Sequence, residues 1–459
     1  STRKESSAAS DVYKRQLHNQ HLMSDNLKNK ALDYHRYPMP GKIETIPTKA
    51  THHPDDLSLA YSPGVAFPCL EIKDNKDNAY LYTNKSNLVA VISNGTAVLG
   101  LGNIGADAAK PVMEGKALLF KIFAGLNCYD IEIDETDPNR FVDSVRAMSG
   151  TFGGINLEDI KAPECFEIER RLKEECDIPV MHDDQHGTAI VSSAALINAL
   201  DIQNKKIDEI KVVVSGAGAA AISCTKLYVK LGVKKENIVM CDSHGVIRAD
   251  RQNLNESKRM FATTRDIHTL AEAVKDADVF LGLSVADALK PEMLASMAPR
   301  PIVFALANPN PEIARDIAMQ TRDDLVFATG RSDYPNQINN VLGFPYIFRA
   351  ALDCRASVIN DEMKLAAARA IASLARKPVP KSLKRAYGVK ELSFGREYIL
   401  PKPFDKRLLP TVAPVIAQAA ADSGVARHPV ADLETYARHL ETLIESNDAY
   451  IVKLITSGN

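Results

Sequence analysis

The stretch that decides the fold is Lys211-Val212-Val213-Val214-Ser215-Gly216-Ala217-Gly218-Ala219-Ala220-Ala221. Its β-branched beginning predicts a buried strand, and an apolar helical pattern follows the glycines as far as Leu231. Gly216, Gly218 and Ala221 match the fingerprint Gly-x-Gly-x-x-Ala between such a strand and such a helix. Glycines in that context let the backbone approach a pyrophosphate at the N-terminus of the helix. The stretch therefore predicts a dinucleotide-binding site, although a tight turn without a ligand would need the same glycines.

Further short apolar runs follow this stretch, with helical patterns between them. The strands that they predict are Asn237–Cys241, Asp278–Leu283, Pro301–Leu306 and Leu325–Ala328. Such alternation is typical of a doubly wound parallel sheet of the Rossmann type, with helices on both faces. Asp242 ends the second strand, where an acid can accept a ribose hydroxyl. Asn308 follows a later strand, at the sheet edge where ligands bind.

The first half of the chain also mixes strands and helices, so we expect an α/β protein. The predicted strands are Leu88–Ser93, Leu118–Phe123 and Tyr129–Ile133, and the predicted helices are Pro163–Glu175 and Thr188–Leu200. We expect domains over residues 17–200 and 201–430, and a C-terminal helical tail over 431–459. Residues 1–16 have no apolar signal segment, and we interpret them as a non-native or disordered tail.

Composition and charge exclude several classes of protein. The 459 residues exceed a single hydrophobic core. The net charge of -2 gives no electrostatic reason to expect nucleic acid or a membrane surface as partner. No apolar run reaches the roughly 18 residues of a membrane span. The seven cysteines are scattered without a CxxC pair, which indicates reduced thiols in a cytoplasmic protein.

Two acidic pairs lie at the ends of predicted elements in the first half. They are Glu158-Asp159 and Asp183-Asp184. Carboxylate oxygens without cysteine suit a hard divalent cation, Mg²⁺ or Mn²⁺. On spacing alone, however, either pair is more commonly a solvated helix start. His182 and His186 have the spacing of a zinc helix, but the glutamate that should follow the first histidine is missing.

Three single residues could complete a site. Lys116 stands before the strand predicted at Leu118–Phe123 and belongs to no Walker motif. Tyr61 is held by a turn, and Asn340 precedes a loop with a glycine. Each residue type has a simpler role, because lysines are mostly exposed, tyrosines pack with a bonded hydroxyl and asparagines form turns.

A second glycine fingerprint fits the dinucleotide pattern more closely than the first. It reads Gly100-Leu101-Gly102-Asn103-Ile104-Gly105. Pro111 should interrupt the following helix within two turns, because proline lacks an N–H and its ring clashes with the preceding turn. We therefore interpret this fingerprint as a structural or active-site loop.

Together these segments resemble the malic enzyme family. The segments that match, in the family's order, are Tyr61-Ser62-Pro63-Gly64-Val65-Ala66, Val98-Leu99-Gly100-Leu101-Gly102-Asn103-Ile104-Gly105, Glu114-Gly115-Lys116, Asn156-Leu157-Glu158-Asp159, His182-Asp183-Asp184-Gln185-His186-Gly187-Thr188-Ala189, Gly216-Ala217-Gly218-Ala219-Ala220, Ala307-Asn308-Pro309 and Asn339-Asn340-Val341. The resemblance runs from about Leu27 to about Arg427 and fits the shorter bacterial branch best. Chance rarely produces so many matches in order.

The resemblance implies an activity and its cofactors. It implies oxidative decarboxylation of (S)-malate to pyruvate and CO₂, through oxaloacetate and enolpyruvate, with reduction of NAD(P)⁺. It also implies an N-terminal domain that binds Mg²⁺ or Mn²⁺ and the substrate, followed by an NAD(P)-binding domain. The expected partners are malate and a second copy of the chain in a homodimer or larger homo-oligomer, since symmetric dimers are the commonest assembly.

The resemblance also assigns roles to individual residues. Glu158, Asp159 and Asp184 match the family's metal ligands. Lys116 matches the general base for the C2 hydroxyl, Asp183 the acid beside that lysine, and Tyr61 the acid that protonates C3. The remaining matches are to residues that bind cofactor or substrate: Gly216, Gly218, Ala219, Ala220, Asp242 and Asn308 for the cofactor, and Asn308 and Asn340 for the substrate.

Some features depart from the family or leave alternatives open. Larger members carry an arginine that grips malate where this chain has Ala97. Asp242 favours NAD by the simple Rossmann rule, whereas Ser243, His244 and Arg248 could accept the 2′-phosphate of NADP, which we favour slightly. Many bacterial relatives continue into a phosphotransacetylase-like domain, so we expect either a short form or a truncated gene.

Two other kinds of protein would share the glycine fingerprint. One is a two-domain dehydrogenase of amino acids or of a folate, which needs no carboxylate metal cluster. The other is a cofactor-binding regulator without turnover, which needs neither Lys116 nor Tyr61.

Overall fold

The computed structural model describes residues 26–49, 52–98, 101–252 and 254–457. The chain divides into two compact units, residues 1–49 and residues 50–459. In the described part of the first unit, residues 26–36 are helical. The interpretation of residues 1–16 as a tail lies outside the described residues. All elements below belong to the second unit.

The strands of the second unit form two sheets. The strands are β1 (Leu88–Ser93), β2 (Asn127–Glu132), β3 (Gly154–Leu157), β4 (Val180–His182), β5 (Val212–Ser215), β6 (Ile238–Asp242), β7 (Gly245–Val246), β8 (Val279–Gly282), β9 (Ile302–Ala305) and β10 (Val326–Thr329). The first sheet has the order β2-β1-β3-β4, and the second has the order β10-β9-β8-β5-β6-β7.

The helices of the second unit cover these sheets. They are α1 (Pro54–Ala60), α2 (Ala66–Asp74), α3 (Ala79–Tyr82), α4 (Ala106–Ala124), α5 (Pro138–Met148), α6 (Glu164–Glu175), α7 (Asp183–Gln203), α8 (Ala219–Leu231), α9 (Glu256–Arg259), α10 (Leu270–Val274), α11 (Pro291–Ala295), α12 (Arg315–Thr321), α13 (Phe344–Asp353), α14 (Asp361–Ala375), α15 (Lys381–Ala386), α16 (Leu408–Asp422) and α17 (Leu433–Ser457). Short 3₁₀ turns lie at Lys76–Asn78, Asn84–Asn87, Ser149–Thr151, Lys235–Asn237 and Asn340–Leu342. Within the described ranges, no helix combines the length and the apolar run that crossing a bilayer requires.

Both sheets contain a point where the strand order reverses. In the first sheet the chain runs from β1 to β2 on one side and then to β3 on the other, and every described pairing is parallel. In the second sheet β5 lies between β6 and β8, with parallel pairing from β10 to β6. Ligands of open α/β sheets bind beyond the carboxyl ends of the strands at such points. The prediction of an α/β fold with a Rossmann-type sheet is confirmed.

Helix α7 joins the two halves of the core. Most of its residues are buried, and it packs against α8, the helix that follows the glycine fingerprint, and against α14. A helix that is apolar on nearly every side has to lie inside a larger core. The amino end of α7 follows β4 directly, so residues 183 and 184 start where the first sheet ends. The division into domains near residues 201–209 stays a prediction.

Two predictions about the segment around Pro111 are wrong. Helix α4 runs through Pro111, and the run Leu118–Phe123 is the second half of this helix, not a strand. Pro111 removes only the hydrogen bond to the carbonyl of Asp107, and both residues lie on the exposed side of the helix, where water can bind that carbonyl. The buried side of α4, which includes Phe120, then outweighs the local cost of proline.

The start of α7 also differs from the prediction. The sequence predicts a helix from Thr188, with the pair Asp183-Asp184 before it, whereas the structure places both acids in the first helical turn. Carboxylates are favourable there, because the helix dipole and the unpaired N–H groups are positive at that end. Gly187 lies inside this helix, one turn after the two acids.

Candidate functional site

The two acidic pairs meet at the carboxyl edge of the first sheet. Strands β3 and β4 are parallel neighbours with Leu157 opposite His182, so the acids that follow each strand come out side by side. Oxygen atoms of Glu158, Asp159 and Asp184 lie within 4.8 Å of one another. The backbone N–H of Asp159 donates to Oδ2 of Asp184 at 2.8 Å, which fixes the two loops together.

Lys116 and Asp183 lie directly beside this cluster. Nζ of Lys116 is 2.6 Å from Oδ2 of Asp183 and 2.9 Å from Oε1 of Glu158. The lysine is 7% exposed and Asp183 is fully buried. Helix α4 brings Lys116 here, and its ammonium group also lies 4.2 Å from the ring centre of Phe344. The structure thus places Asp183 in direct contact with Lys116.

The charges of this buried group do not balance. Two carboxylates, those of Glu158 and Asp183, contact the ammonium of Lys116, and those of Asp159 and the partly exposed Asp184 lie next to Glu158. Burial raises the pKa of Asp183 to about 7 and that of Asp184 to about 6, although Lys116 opposes both shifts. Oδ1 of Asp183 has no hydrogen-bond partner among the described residues. An excess of buried negative charge and a set of oxygen ligands fit a hard divalent cation.

The pKa of Lys116 responds to the same imbalance. Burial alone would lower it, but Asp183, Glu158 and Asp184 together raise it well above the ordinary value for a lysine. A lysine that acts as a base needs a lowered pKa, which burial among these carboxylates alone does not produce. Compensation of the carboxylates by a cation would act in the opposite direction.

Gly187 controls how closely other residues approach Asp183. A Cβ atom at this position would lie 2.0 Å from Oδ1 of Asp183 and 2.7 Å from Cβ of Asn340. The absence of a side chain thus lets Asn340, which begins a 3₁₀ turn, pack beside the first turn of α7. The structure brings Asn340 to the site, as the resemblance implies.

The backbone beside the cluster comes from the segment that leads into the second glycine fingerprint. The N–H of Ala97 donates to the carbonyl of Asp159 at 2.9 Å, so the position of the missing arginine does adjoin the site. The carbonyl of Gly95 accepts from the N–H groups of Ile104 and Gly105, which closes the loop before α4. Residue 99 and the first residue of the fingerprint, residue 100, lie outside the described residues.

Tyr61 and His186 make no described hydrogen bond to Lys116 or to the three clustered carboxylates. Tyr61 is 76% exposed, and its hydroxyl takes no part in the described hydrogen bonds around Lys116. His186 bonds instead to Glu169 of α6, with Nε2 at 2.9 Å from Oε1. His182 and His186 therefore do not form a zinc site together.

A second site lies at the reversal point of the Rossmann-type sheet. A cavity of about 450 Å³ is lined by residues of the glycine fingerprint, by the end of β6 and by the loop after β8: Ser215, Gly216, Ala217, Gly218, Cys241, Asp242, Ser243, Gly245, Lys258, Leu270, Ser284, Val285 and Ala288. Gly216 has a φ of +113°, and a Cβ there would lie 2.3 Å from the carbonyl oxygen of Leu283. Ala219 and Ala220 begin α8 at this point, so the predicted dinucleotide position is well formed.

Two positively charged side chains bind Asp242, which the sequence does not predict. Arg251 binds it through two nitrogens at 3.0 Å, and Nζ of Lys258 lies 2.9 Å away. Burial raises the pKa of Asp242, but these partners overcome that effect and hold the pKa well below its usual value. Arg248, by contrast, is bound to Asp250 and Asp266.

Further residues support the two sites. Asn156 donates to Glu158 at 2.8 Å and orients it. Asn308, which the sequence places at this sheet edge, lies against Gly330. Glu312 is fully buried and accepts from the N–H groups of Ser284 and Ala307, which shapes two strand-end loops of the second sheet. Glu312 has no signal in the sequence, because its role depends on contacts between distant loops.

Family models cover most of the chain. The model of the malic enzyme N-terminal domain matches residues 40–173, and that of the malic enzyme NAD-binding domain matches residues 185–387. The first match contains Lys116 and the Glu158-Asp159 pair, and the second contains the glycine fingerprint.

Individual relatives and solved structures agree with these matches. The chain is 56% identical over 438 residues to an NADP-dependent malic enzyme of Escherichia coli, which covers 95% of this chain and 58% of that protein. It therefore spans little more than half the length of that relative. It is 57% identical to an NADP-dependent malic enzyme of Halomonas elongata, covering 89% of this chain and 96% of the relative. A crystal structure of malic enzyme from Pyrococcus horikoshii superposes with a TM-score of 0.87 at 43% identity, covering 94% of this chain and 99% of that one.

Gly187→Ala should destabilise the metal-free protein. The new Cβ would displace Asp183 from Lys116, and disruption of a buried ion pair costs about 3–5 kcal/mol. The thermal unfolding midpoint of protein dialysed against a chelator measures this. Gly115→Ala is the matched control, since it adds a Cβ next to Lys116 with no atom within 4 Å and favours the helix by up to ~1 kcal/mol. Equal midpoints for the two variants would contradict the described position of Asp183.

Proposed function

Because the chain belongs to the malic enzyme family, we propose that it converts (S)-malate to pyruvate and CO₂ with reduction of NAD(P)⁺. The observation that carries this proposal is the buried pair of Lys116 and Asp183 beside the carboxylates of Glu158, Asp159 and Asp184. A base next to a divalent-cation site suits oxidation of a hydroxy acid followed by loss of its β-carboxylate.

We propose that Glu158, Asp159 and Asp184 hold Mg²⁺ or Mn²⁺. When bound, the cation would polarise the C2 oxygen of malate, stabilise the enolate that remains after CO₂ leaves, and offset the carboxylates that now favour protonated Lys116. Asn156 keeps Glu158 oriented, and the Asp159 N–H keeps Asp184 oriented. Such supports fix ligand geometry before a cation arrives.

Side chains of this protein then carry out the proton transfers at the C2 hydroxyl and at C3. Lys116 in its neutral form accepts the proton of the C2 hydroxyl, and a nicotinamide bound in the dinucleotide cavity would supply the acceptor for the hydride of C2. Asp183 holds the resulting ammonium at 2.6 Å. After decarboxylation, Tyr61 donates a proton to C3 of enolpyruvate. Asn308 and Asn340 orient the substrate between the cluster and the dinucleotide cavity.

An assay with malate, Mn²⁺ and either NAD⁺ or NADP⁺ tests this function. We expect pyruvate and CO₂ in equal amounts, and complete loss of both after removal of metal with a chelator. Lys116→Arg keeps a cation beside Asp183 but cannot give up its proton, so turnover should fall by about 10²–10⁴ while the protein stays folded. Lys110→Ala, on the exposed side of the same helix, is the control and should keep full activity. Full activity of the metal-free protein would refute the proposal.

We further propose that NADP is the preferred cofactor. Arg251 and Lys258 occupy the carboxylate of Asp242, so it is less able to accept a ribose 2′-hydroxyl. Lys258 and Ser243 line the same cavity and can bind a 2′-phosphate. Most of the relatives named above are NADP-dependent, but an NAD-dependent malic enzyme of Rhizobium meliloti is also 56% identical.

Lys258→Ala should lower kcat/KM for NADP⁺ by about 10–100-fold, because it removes a charged contact with the phosphate. With NAD⁺ the same variant should change little. Arg248→Ala is the matched control, because Arg248 is occupied by Asp250 and Asp266 and should not alter the ratio of the two cofactors. Equal losses of kcat/KM with both cofactors would show that Lys258 does not bind the 2′-phosphate of NADP⁺.

We also propose a homodimer that covers helices α1 to α3. None of these helices has a buried residue. Large apolar side chains are instead exposed along them: Leu57, Leu59, Tyr61, Phe67, Leu70, Leu81 and Tyr82. An exposed apolar surface of this kind indicates a protein contact, and a second copy is the simplest symmetric partner. Tyr61 would then be buried by assembly.

Phe67→Glu should convert the dimer to a monomer in sedimentation velocity, since it places a charge in the apolar contact. Ile317→Glu on α12, where a single apolar side chain is 43% exposed, is the control and should leave the dimer intact. A wild-type protein that sediments as a monomer at micromolar concentration would contradict the dimer without touching the proposed activity.

A further inference from the structure

A second large cavity is formed by residues other than those of the two sites described above. It has a volume of about 610 Å³ and lies between helices α6, α7, α8 and α14 and the segment 257–261. None of the proposed metal ligands and none of the residues around the dinucleotide cavity lines it. Its size is within the range of pockets that enclose small organic ligands.

The walls of this cavity are strongly basic. Six basic side chains line it, against the two carboxylates of Glu169 and Asp361: Arg170, Lys173, Lys226, Lys230, Lys235 and Lys364. Arg170 is bound to Glu167 and Glu174 of its own helix and Lys173 to Glu169, whereas Lys230 and Lys364 share the single carboxylate of Asp361. Lys226 and Lys235 have no ion-pair partner within the ranges that the structure describes. The cavity therefore holds an excess of positive charge that favours an anion.

Several polar groups of the wall are buried and point to a ligand. Lys364 is 4% exposed, and burial together with Lys173 lowers its pKa, as expected when a cation lacks enough negative charge. Gln185 is 2% exposed, and its Nε2 atom has no acceptor among the described residues. A buried donor of this kind usually has a partner. An anionic oxygen in the cavity would provide one.

The remaining wall is apolar. It consists of aromatic and aliphatic side chains from α6, α7, α8 and the segment 257–261: Phe166, Ala189, Leu227, Val229, Met260 and Phe261. An inorganic anion would leave this surface in water. A ligand that combines an anionic group with an apolar or aromatic group would contact both kinds of wall.

We propose that this cavity, defined by Lys226, Lys235, Lys364 and Gln185 together with its apolar wall, binds a phosphorylated organic molecule of about nucleotide size. The phosphate faces the lysines and Gln185, and the organic group lies against Phe166, Leu227 and Phe261. The proposal does not depend on the proposed reaction, because binding can be measured without turnover.

The cavity touches elements that also form the two other sites. Helix α7 carries Asp184 at its first turn and Gln185 on the cavity wall. Helix α9 presents Ser257 to this cavity and Lys258 to the dinucleotide cavity. A molecule bound in the cavity would thus contact Gln185 and Ser257, which are the sequence neighbours of Asp184 and Lys258.

Isothermal titration of the full chain with phenyl phosphate tests the proposal. NADP⁺ is present at saturation, so that the dinucleotide cavity is filled. We expect one site per chain, and binding roughly tenfold weaker in Lys226→Ala/Lys235→Ala, which removes two exposed contacts to the anion. Lys206→Ala, an exposed lysine bound to Glu209 elsewhere, is the control and should bind as the wild type does. Inorganic phosphate should bind several-fold more weakly than phenyl phosphate, because it cannot use the apolar wall.

Three results would overturn the proposal. They are no binding of millimolar phenyl phosphate, unchanged binding in the double variant, and equal affinity for inorganic phosphate. Because the double variant alters only exposed lysines away from Lys116 and Lys258, its malate activity without added phosphate should equal that of the wild type. If the wild type itself showed no malate activity, this would count against the proposed reaction and not against ligand binding in this cavity.

Discussion

The crowding of four carboxylates, three of them buried, near one ammonium group is the constraint on which the site depends. Lys116 cannot neutralise Glu158, Asp159, Asp183 and Asp184 together; the first three are buried and Asp184 is partly exposed. Uncompensated buried charge is among the most costly features that a fold can contain. The rest of the architecture acts to hold these charges in place: a strand register, a helix N-terminus and an asparagine all restrict them.

The parallel pairing of β3 with β4 contributes most to holding these charges in place. Because Leu157 lies opposite His182, a single register decides that residues 158 and 183 emerge together. Helix α7 starts at once, so its positive end faces the acids. Parallel pairing has the same effect in the second sheet, where Gly216 after β5 lies against the carbonyl of Leu283 after β8. Two reversal points of one kind thus produce two sites with different chemistry.

The sequence predicts the repeating features well and the isolated ones poorly. Five of the six strands of the second sheet and the helix after Gly218 are predicted within a few residues, because apolar periodicity and turn-forming glycines are local signals; the two-residue strand β7 is not predicted. The sequence places Lys116 before a strand, whereas it lies inside α4, because Pro111 suggests a break that the buried side of this helix overrides. Glu312, Lys258 and the basic cavity behind α7 depend on contacts between distant segments, for which a single sequence has no signal.

Helix α7 shows why the excess charge can be kept. Most of its length is buried among other helices, so it anchors the first turn firmly although Oδ1 of Asp183 has no described partner there. A ligand that binds only the folded chain stabilises it in proportion to the logarithm of its concentration over Kd. The cation proposed above would therefore recover free energy that is lost by holding Glu158, Asp159 and Asp184 close together. Until such a cation binds, the packing around α7 has to hold these carboxylates in place.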